Sequence, residues 1–286
     1  MSTPAVPDTV CVIGGGRMGA GIAQVFAARG AEVSVVESDG NAIAAARARL
    51  TAGLAKAAER GALDTDPGTI LARVAVVSDL AALPPHADLV VEAVPERPEL
   101  KVNVLAKAES VVGDQAVLAT NTSSISVGEL GTALRRPNRF LGMHFFNPVP
   151  TSKLVEVVTT PDTDPSVIQR AQEWVRGLGK IDVTVRDSPG FATSRLGVLL
   201  GLEAIRMLQE GVADAAAIDT AMEQGYRHPM GPLRSTDLVG LDVRLAIADY
   251  LHTRLGDRFA PPRLLRDMVA RGELGRKTGR GFYDWS

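Results

Sequence analysis

The chain has 286 residues, 45% hydrophobic and 22% charged, a globular composition that excludes general disorder and suits one large domain or two ordinary ones. Lys plus Arg number 31 against 33 Asp plus Glu, a net charge of −2, so the basic excess of a nucleic-acid binder is missing. A single cysteine, Cys11, excludes an internal disulfide, and four scattered histidines offer no metal cluster.

Met1 to Pro7 has neither a basic start nor a hydrophobic run, so no signal peptide is expected and the cytoplasm is the expected location. Thr9 to Ile13 is a β-branched apolar run ending at Gly14, Gly15 and Gly16, which predicts a buried strand and a tight turn. Met18, Ile22, Val25 and Phe26 then recur at helical spacing until Gly30. Val33 to Glu37 reads as a second strand and Asn41 to Arg60 as an alanine-rich helix. Val74 to Val77 and Leu89 to Val94 read as strands on either side of a Pro84-Pro85 loop. Glu99 to Val112 reads as helix and Val117 to Thr120 as strand. Phe140 to His144, Leu154 to Val158 and Ile181 to Val185 complete the strand candidates. Strands alternating with helices predict an α/β fold, a Rossmann-type mostly parallel sheet with helices on both faces.

The pattern changes at Asp187-Ser188-Pro189-Gly190. Beyond it the periods are helical, over about Ala192 to Glu210, Ala213 to Gln224, Asp237 to Leu255 and Arg263 to Arg271. This predicts a domain over 1–186 followed by an all-helical C-terminal domain over 187–286. The longest apolar stretch, around Leu196 to Ile205, is cut by Glu203 and flanked by Arg195 and Arg206, so no membrane span is expected.

Gly14-x-Gly16-x-x-Gly19 lies directly after a predicted strand and opens a predicted helix, with Arg17 and Met18 inside the loop. In a dinucleotide site the first glycine makes the turn, the second admits the pyrophosphate, and the third lets helix and strand pack closely. Glu37 ends the second strand, where a carboxylate accepts hydrogen bonds from the ribose 2′-OH of NAD and repels the 2′-phosphate of NADP. The pattern points to NAD. A glycine turn with an exposed glutamate is the plain alternative, and Arg17 is the one nearby cation able to serve a phosphate.

Further along, Asn121-Thr122-Ser123-Ser124 follows a strand at its C-terminal end, where open α/β sheets bind ligands. His144 ends another strand, and Glu156 interrupts the apolar run Leu154-Val155-Glu156-Val157-Val158. A carboxylate inside a buried strand is costly unless paired, and a His–Glu pair would both relieve that cost and orient a general base. From spacing alone, a core histidine and an edge-strand glutamate explain the same residues.

The segments ATNTSSIS, GMHFFNPVP, KLVEVV, DSPGF, HPMGP with DLVGLD, and GRKTGRGFY resemble the 3-hydroxyacyl-CoA dehydrogenase family, nearest its short bacterial 3-hydroxybutyryl-CoA dehydrogenase type. The resemblance runs from Gly14 to Tyr283. It implies NAD as cofactor, an (S)-3-hydroxyacyl-CoA thioester as substrate, a homodimer, and a C-terminal domain serving substrate and dimerisation. It places the catalytic histidine on His144, its partner on Glu156 and a substrate-contacting serine on Ser123. Cofactor contacts fall on Glu37, Glu96, Lys101, Asn121, Asn147 and Lys277. Two positions depart from the family pattern. Ser194 stands where the family has a substrate-contacting asparagine, and Gly53 stands where some members have a serine that holds CoA. Lys56 and Arg60 on the alanine-rich helix remain as cations for CoA phosphates. The alternatives are a dehydrogenase of a free hydroxy acid such as L-gulonate, and a non-catalytic NAD-binding relative.

Overall fold

A computed structural model describes residues 6–286. Residues 1–5, which make up most of the segment behind the leader reading, lie outside the described residues. The chain divides into two compact units, Met1–Asp187 and Ser188–Ser286. The division falls one residue beyond the expected one because Asp187 belongs with the first unit. Its backbone N–H donates to Thr159 O at 2.8 Å, and its carboxylate accepts from the Ser126 hydroxyl and the Gly128 N–H.

The first unit is built on eight strands: β1 (Thr9–Ile13), β2 (Glu32–Val36), β3 (Val74–Val77), β4 (Leu89–Glu92), β5 (Val117–Thr120), β6 (Phe140–Phe145), β7 (Leu154–Thr159) and β8 (Ile181–Arg186). They form one sheet in the order β3-β2-β1-β4-β5-β6-β7-β8, parallel except where β6 meets β7. Six helices accompany it: α1 (Arg17–Ala28), α2 (Gly40–Glu59), α3 (Pro67–Ala72), α4 (Pro98–Val111), α5 (Val127–Gly131) and α6 (Pro165–Gly177). Strands β4, β5 and β6 are buried at every position, as a sheet covered on both faces requires. One core joins Val10, Val12, Val33 and Val35 to Ile22 and Phe26 of α1, Leu50 and Leu54 of α2, and Val167 and Trp174 of α6. Cys11 points the other way along β1, and burial pushes its thiol up to about 12, which keeps it inert.

Several boundaries differ from the sequence reading for local reasons. Strand β4 stops at Glu92, not Val94, because the Glu92 carboxylate turns back to accept the Val94 N–H at 2.7 Å. Helix α6 was not anticipated, although Asp164 caps it and Pro165 opens it.

The second unit is helical: α7 (Thr193–Gln209), α8 (Ala215–Thr220), α9 (Pro232–Val239), α10 (Leu241–Leu255) and α11 (Arg263–Ala270). Helix α7 presents Val198, Leu202 and Ile205 to Leu241, Ala248 and Leu251 of α10 and to Leu265 and Met268 of α11. The single helix expected over Asp237 to Leu255 is two, broken at Gly240 with φ +104°. The C-terminal tail is latched by buried Asp237, whose carboxylate accepts the Phe282 and Tyr283 N–H groups and the Trp285 indole N–H.

Candidate active site

Strands β3, β2, β1, β4, β5 and β6 run parallel, so their C-terminal ends share one edge of the sheet, and the order reverses beside β1. That edge is where an open α/β sheet binds ligands.

The glycine loop follows β1. Gly14 has φ +99°, in the region that favours glycine, and its N–H donates to Val36 O at 2.9 Å. A Cβ at Gly19 would strike the Gly14 carbonyl oxygen, so only glycine lets α1 start this close to β1. A Cβ at Gly16 would meet nothing within 4 Å, so the backbone there borders open space. Helix α1 begins without a side-chain cap and without an acid in its first turn, which leaves its positive end to an anion. Glu37, the residue after β2, accepts the Gly15 N–H at 2.6 Å. The acid expected at the ribose therefore also braces the loop. These residues fit a dinucleotide.

The loops after β4 and β5 are tied by ions. Glu92 is fully buried at the end of β4 and takes the Lys101 ammonium at 2.8 Å and the Thr120 hydroxyl at 2.6 Å. Lys101, expected as a cofactor contact, is 1% exposed and turned to Glu92. It also reaches the Val94 carbonyl oxygen at 3.3 Å and Glu96 at 3.1 Å. Glu96 accepts the Thr122 hydroxyl, the Ser123 N–H at 3.1 Å and the Ser124 hydroxyl at 3.2 Å. Partial burial alone would raise the Glu96 carboxyl, but the Lys101 charge and these hydrogen bonds outweigh it and hold it below its ordinary range. Glu96 thus fixes the backbone that carries Ser123. Asn121 extends the chain of contacts, its Oδ1 accepting the Phe145 N–H at 2.8 Å next to His144.

His144 and Glu156 are register partners across the antiparallel β6–β7 pair, with no helix between the strands. Directly opposed side chains lie on the same face. Here His144 Nδ1 and Glu156 Oε2 are 2.8 Å apart, in a setting where the histidine is 6% exposed and the glutamate 0%. Phe146 packs on the imidazole with ring centroids 4.4 Å apart. Spacing left a core histidine and an edge glutamate open, and the register brings the two together.

Between α1, α2 and the segment after β6 lies a groove of about 560 Å³. Arg17, Arg29, Arg49, Lys56, Arg60 and Lys180 line it, and the one acid among its lining residues is Asp64. Asn147 belongs to the same lining. Arg17 is thus one of a group of cations. Gly53 also faces the groove, and a Cβ there would strike Gln24 Oε1, while Gln24 Nε2 donates to Gly53 O at 3.3 Å. Sequence reading passed over Gln24, Glu92, Arg49 and Lys180, because residues dispersed along the chain carry no local signal of convergence.

Two expected residues belong to the second unit. Ser194 is half-buried in the first turn of α7, and Lys277 is exposed and ion-paired with Asp242. No group of three or more His, Cys, Asp or Glu side chains among the described residues could hold a metal ion.

The sequence pattern described as 3-hydroxyacyl-CoA dehydrogenase, NAD binding domain, matches residues 9–188, and that of the C-terminal domain matches residues 190–285. The chain belongs to the 3-hydroxyacyl-CoA dehydrogenase family. Within this family it is 42% identical over 275 residues to a probable 3-hydroxybutyryl-CoA dehydrogenase of Deinococcus radiodurans, covering 96% of this chain and 99% of that one. A 3-hydroxybutyryl-CoA dehydrogenase of Mycobacterium tuberculosis is 42% identical over 280 residues, covering 96% and 98%. The solved (S)-3-hydroxybutyryl-CoA dehydrogenase of Ralstonia eutropha superposes with a TM-score of 0.92 at 39% identity, covering 98% of this chain and 99% of that one. The α/β unit is therefore the NAD-binding domain of a 3-hydroxyacyl-CoA dehydrogenase family member, and the helical unit is its C-terminal domain.

Proposed function

We propose that the protein interconverts (S)-3-hydroxyacyl-CoA and 3-ketoacyl-CoA with NAD, acting on short chains such as 3-hydroxybutyryl-CoA. The observation that carries this reading is the buried His144–Glu156 pair at 2.8 Å, tied through Phe145 and Asn121 to the Ser123 loop. When bound, NAD supplies the two-electron acceptor. In the oxidative direction His144 takes the hydroxyl proton through Nε2. Its Nδ1 is committed to Glu156, which fixes the tautomer and stabilises the imidazolium. Ser123 and Ser194 hydrogen-bond the reacting oxygen or the thioester carbonyl. Gly14, Gly16, Arg17, Met18, Gly19, Glu37, Glu96, Asn121, Asn147 and Lys277 serve the cofactor, and Lys101 acts through Glu96.

The cationic groove favours a CoA thioester over a free hydroxy acid, since CoA carries several phosphate charges and a small acid carries one. Lys56 and Arg60 are the cations we assign to those phosphates. Comparison of acetoacetyl-CoA with free 3-keto acids as NADH-linked substrates tests the reading. Turnover of the thioester alone is expected, and turnover of the free acid alone would replace it with the free-acid alternative.

Charge at Glu37 sets the cofactor choice. A 2′-phosphate would bring about two negative charges against this carboxylate, and neighbouring Asp39 makes the field more negative. NAD(H) should exceed NADP(H) by at least about tenfold in kcat/KM, about 1.4 kcal/mol. Glu37→Ala should shrink that ratio chiefly by improving NADP(H) use. Equal wild-type activity with NADPH would show Arg17 holding the extra phosphate instead.

The proposed assembly is a homodimer. Leu196 is 67% exposed, Val239 46% and Val243 42%, and these give the helical unit apolar surface for a second copy to cover. Sedimentation equilibrium at micromolar concentration should return twice the chain mass. No helix among the described residues is long and apolar enough to cross a membrane, and the cytoplasm is the proposed location.

A further inference from the structure

Arg244 in α10 is 7% exposed, and its Nε has no hydrogen-bond partner. Burial alone pulls its guanidinium down to about 10, with no carboxylate among the described residues to offset it. The neighbouring acids are engaged elsewhere, Asp237 by the C-terminal tail and Asp242 by Lys277. A guanidinium N–H buried without an acceptor is a costly arrangement.

Helix α7 is shaped to receive that group. A Cβ on Gly201 would lie 3.7 Å from Arg244 Nε, and one on Gly197 would lie 3.6 Å from its Nη1. The two glycines open a trough along α7, and the guanidinium lies in it with Nη1 toward the helix start. Ser194, Gly197 and Gly201 follow helical spacing, so Ser194 stands on the same face one turn before Nη1. The first turn of α7 has no acidic residue, and the positive end of the helix dipole opposes a cation there. A buried cation beside the positive end of a helix calls for an anion.

We propose that Arg244 forms a carboxylate-binding site one helical turn along α7 from Ser194. A guanidinium holds the two coplanar oxygens of a carboxylate as a fork, which suits it better than a neutral carbonyl. Resting on the reading of Ser194 as a substrate contact, the carboxylate belongs to the acyl chain, and the substrate class is a 3-hydroxyacyl thioester whose chain ends in a carboxylate. The same chemistry could reach the site as a free dicarboxylate.

The test compares two six-carbon thioesters, 3-oxohexanoyl-CoA and 3-oxoadipyl-CoA, with the full-length wild type, Arg244→Met and Arg244→Lys, and measures thermal stability with and without adipate. The wild type should prefer the carboxylate-ended chain by at least about tenfold in kcat/KM. Arg244→Met should erase the preference while the methyl-ended chain changes by no more than about threefold, and Arg244→Lys should retain part of it. Equal use of both thioesters, with adipate stabilising the wild type but not Arg244→Met, supports the site with a free carboxylate as its ligand. Equal use with no stabilisation overturns the site. Should Arg244→Met fail to fold, the wild-type preference and Arg244→Lys decide the matter. Turnover of neither thioester defeats the dehydrogenase reading, and the adipate measurement then still judges the carboxylate site.

Discussion

His144→Gln is expected to lower kcat by roughly 10²–10⁴-fold, the usual worth of a positioned acid–base. Glutamine fills much of the imidazole volume and keeps a hydrogen bond to Glu156, so the strand pair should survive. What it loses is the ability to carry a proton. The cofactor residues lie on other strands and loops, so NADH affinity, read by fluorescence titration, should stay within a few-fold of wild type. Glu156→Gln should cost less, because it keeps the ring in place while removing the charge that stabilises the imidazolium. A His144→Gln enzyme turning over within a few-fold of wild type, with NADH binding intact, would remove His144 from the mechanism.

Lys101→Met should be the most damaging single change to stability. Glu92 is fully buried and Lys101 is 1% exposed, so the variant strands a carboxylate in the interior. Breaking a buried pair in this way costs about 3–5 kcal/mol. Adding Glu92→Gln should recover part of the loss, since the amide carries no charge. Activity should fall as well, because Glu96 loses the cation that anchors it and the Ser123 backbone loses its clamp. The pH dependence has a definite sign. The folded Glu96 carboxyl lies below its unfolded value, so its stabilisation is present above the unfolded value and is lost as pH falls through the folded one. Without Lys101 that loss begins at a higher pH. Urea titrations of wild type and variant over an acid-to-neutral series measure both effects, and equal stability at neutral pH would refute the argument.

Legibility from sequence followed the range of the interaction. The strands from Thr9 to Thr120 were readable because buried parallel strands are short β-branched runs between turn residues. Gly14, Gly16 and Gly19 were readable because the motif they form spans six residues directly after a strand. The break at Gly240 was not, since apolar spacing continues across it and only the φ of +104° ends the helix. Lys101 was opaque for another reason. A lysine on a helix looks solvated until the strand beneath it presents Glu92. The groove and the Arg244 trough are assembled from separate helices, and no local pattern marks such meetings.

Glu37 has two employers, the ribose it is proposed to read and the Gly15 amide it grips at 2.6 Å. Whoever retools this protein for the phosphorylated dinucleotide therefore faces a coupled problem: discarding the acid opens the door to the new cofactor and slackens the hinge on which either cofactor hangs. Drift at this position in a natural lineage would meet the same obstacle, so a change of cofactor should arrive together with a second substitution that restrains the loop by other means.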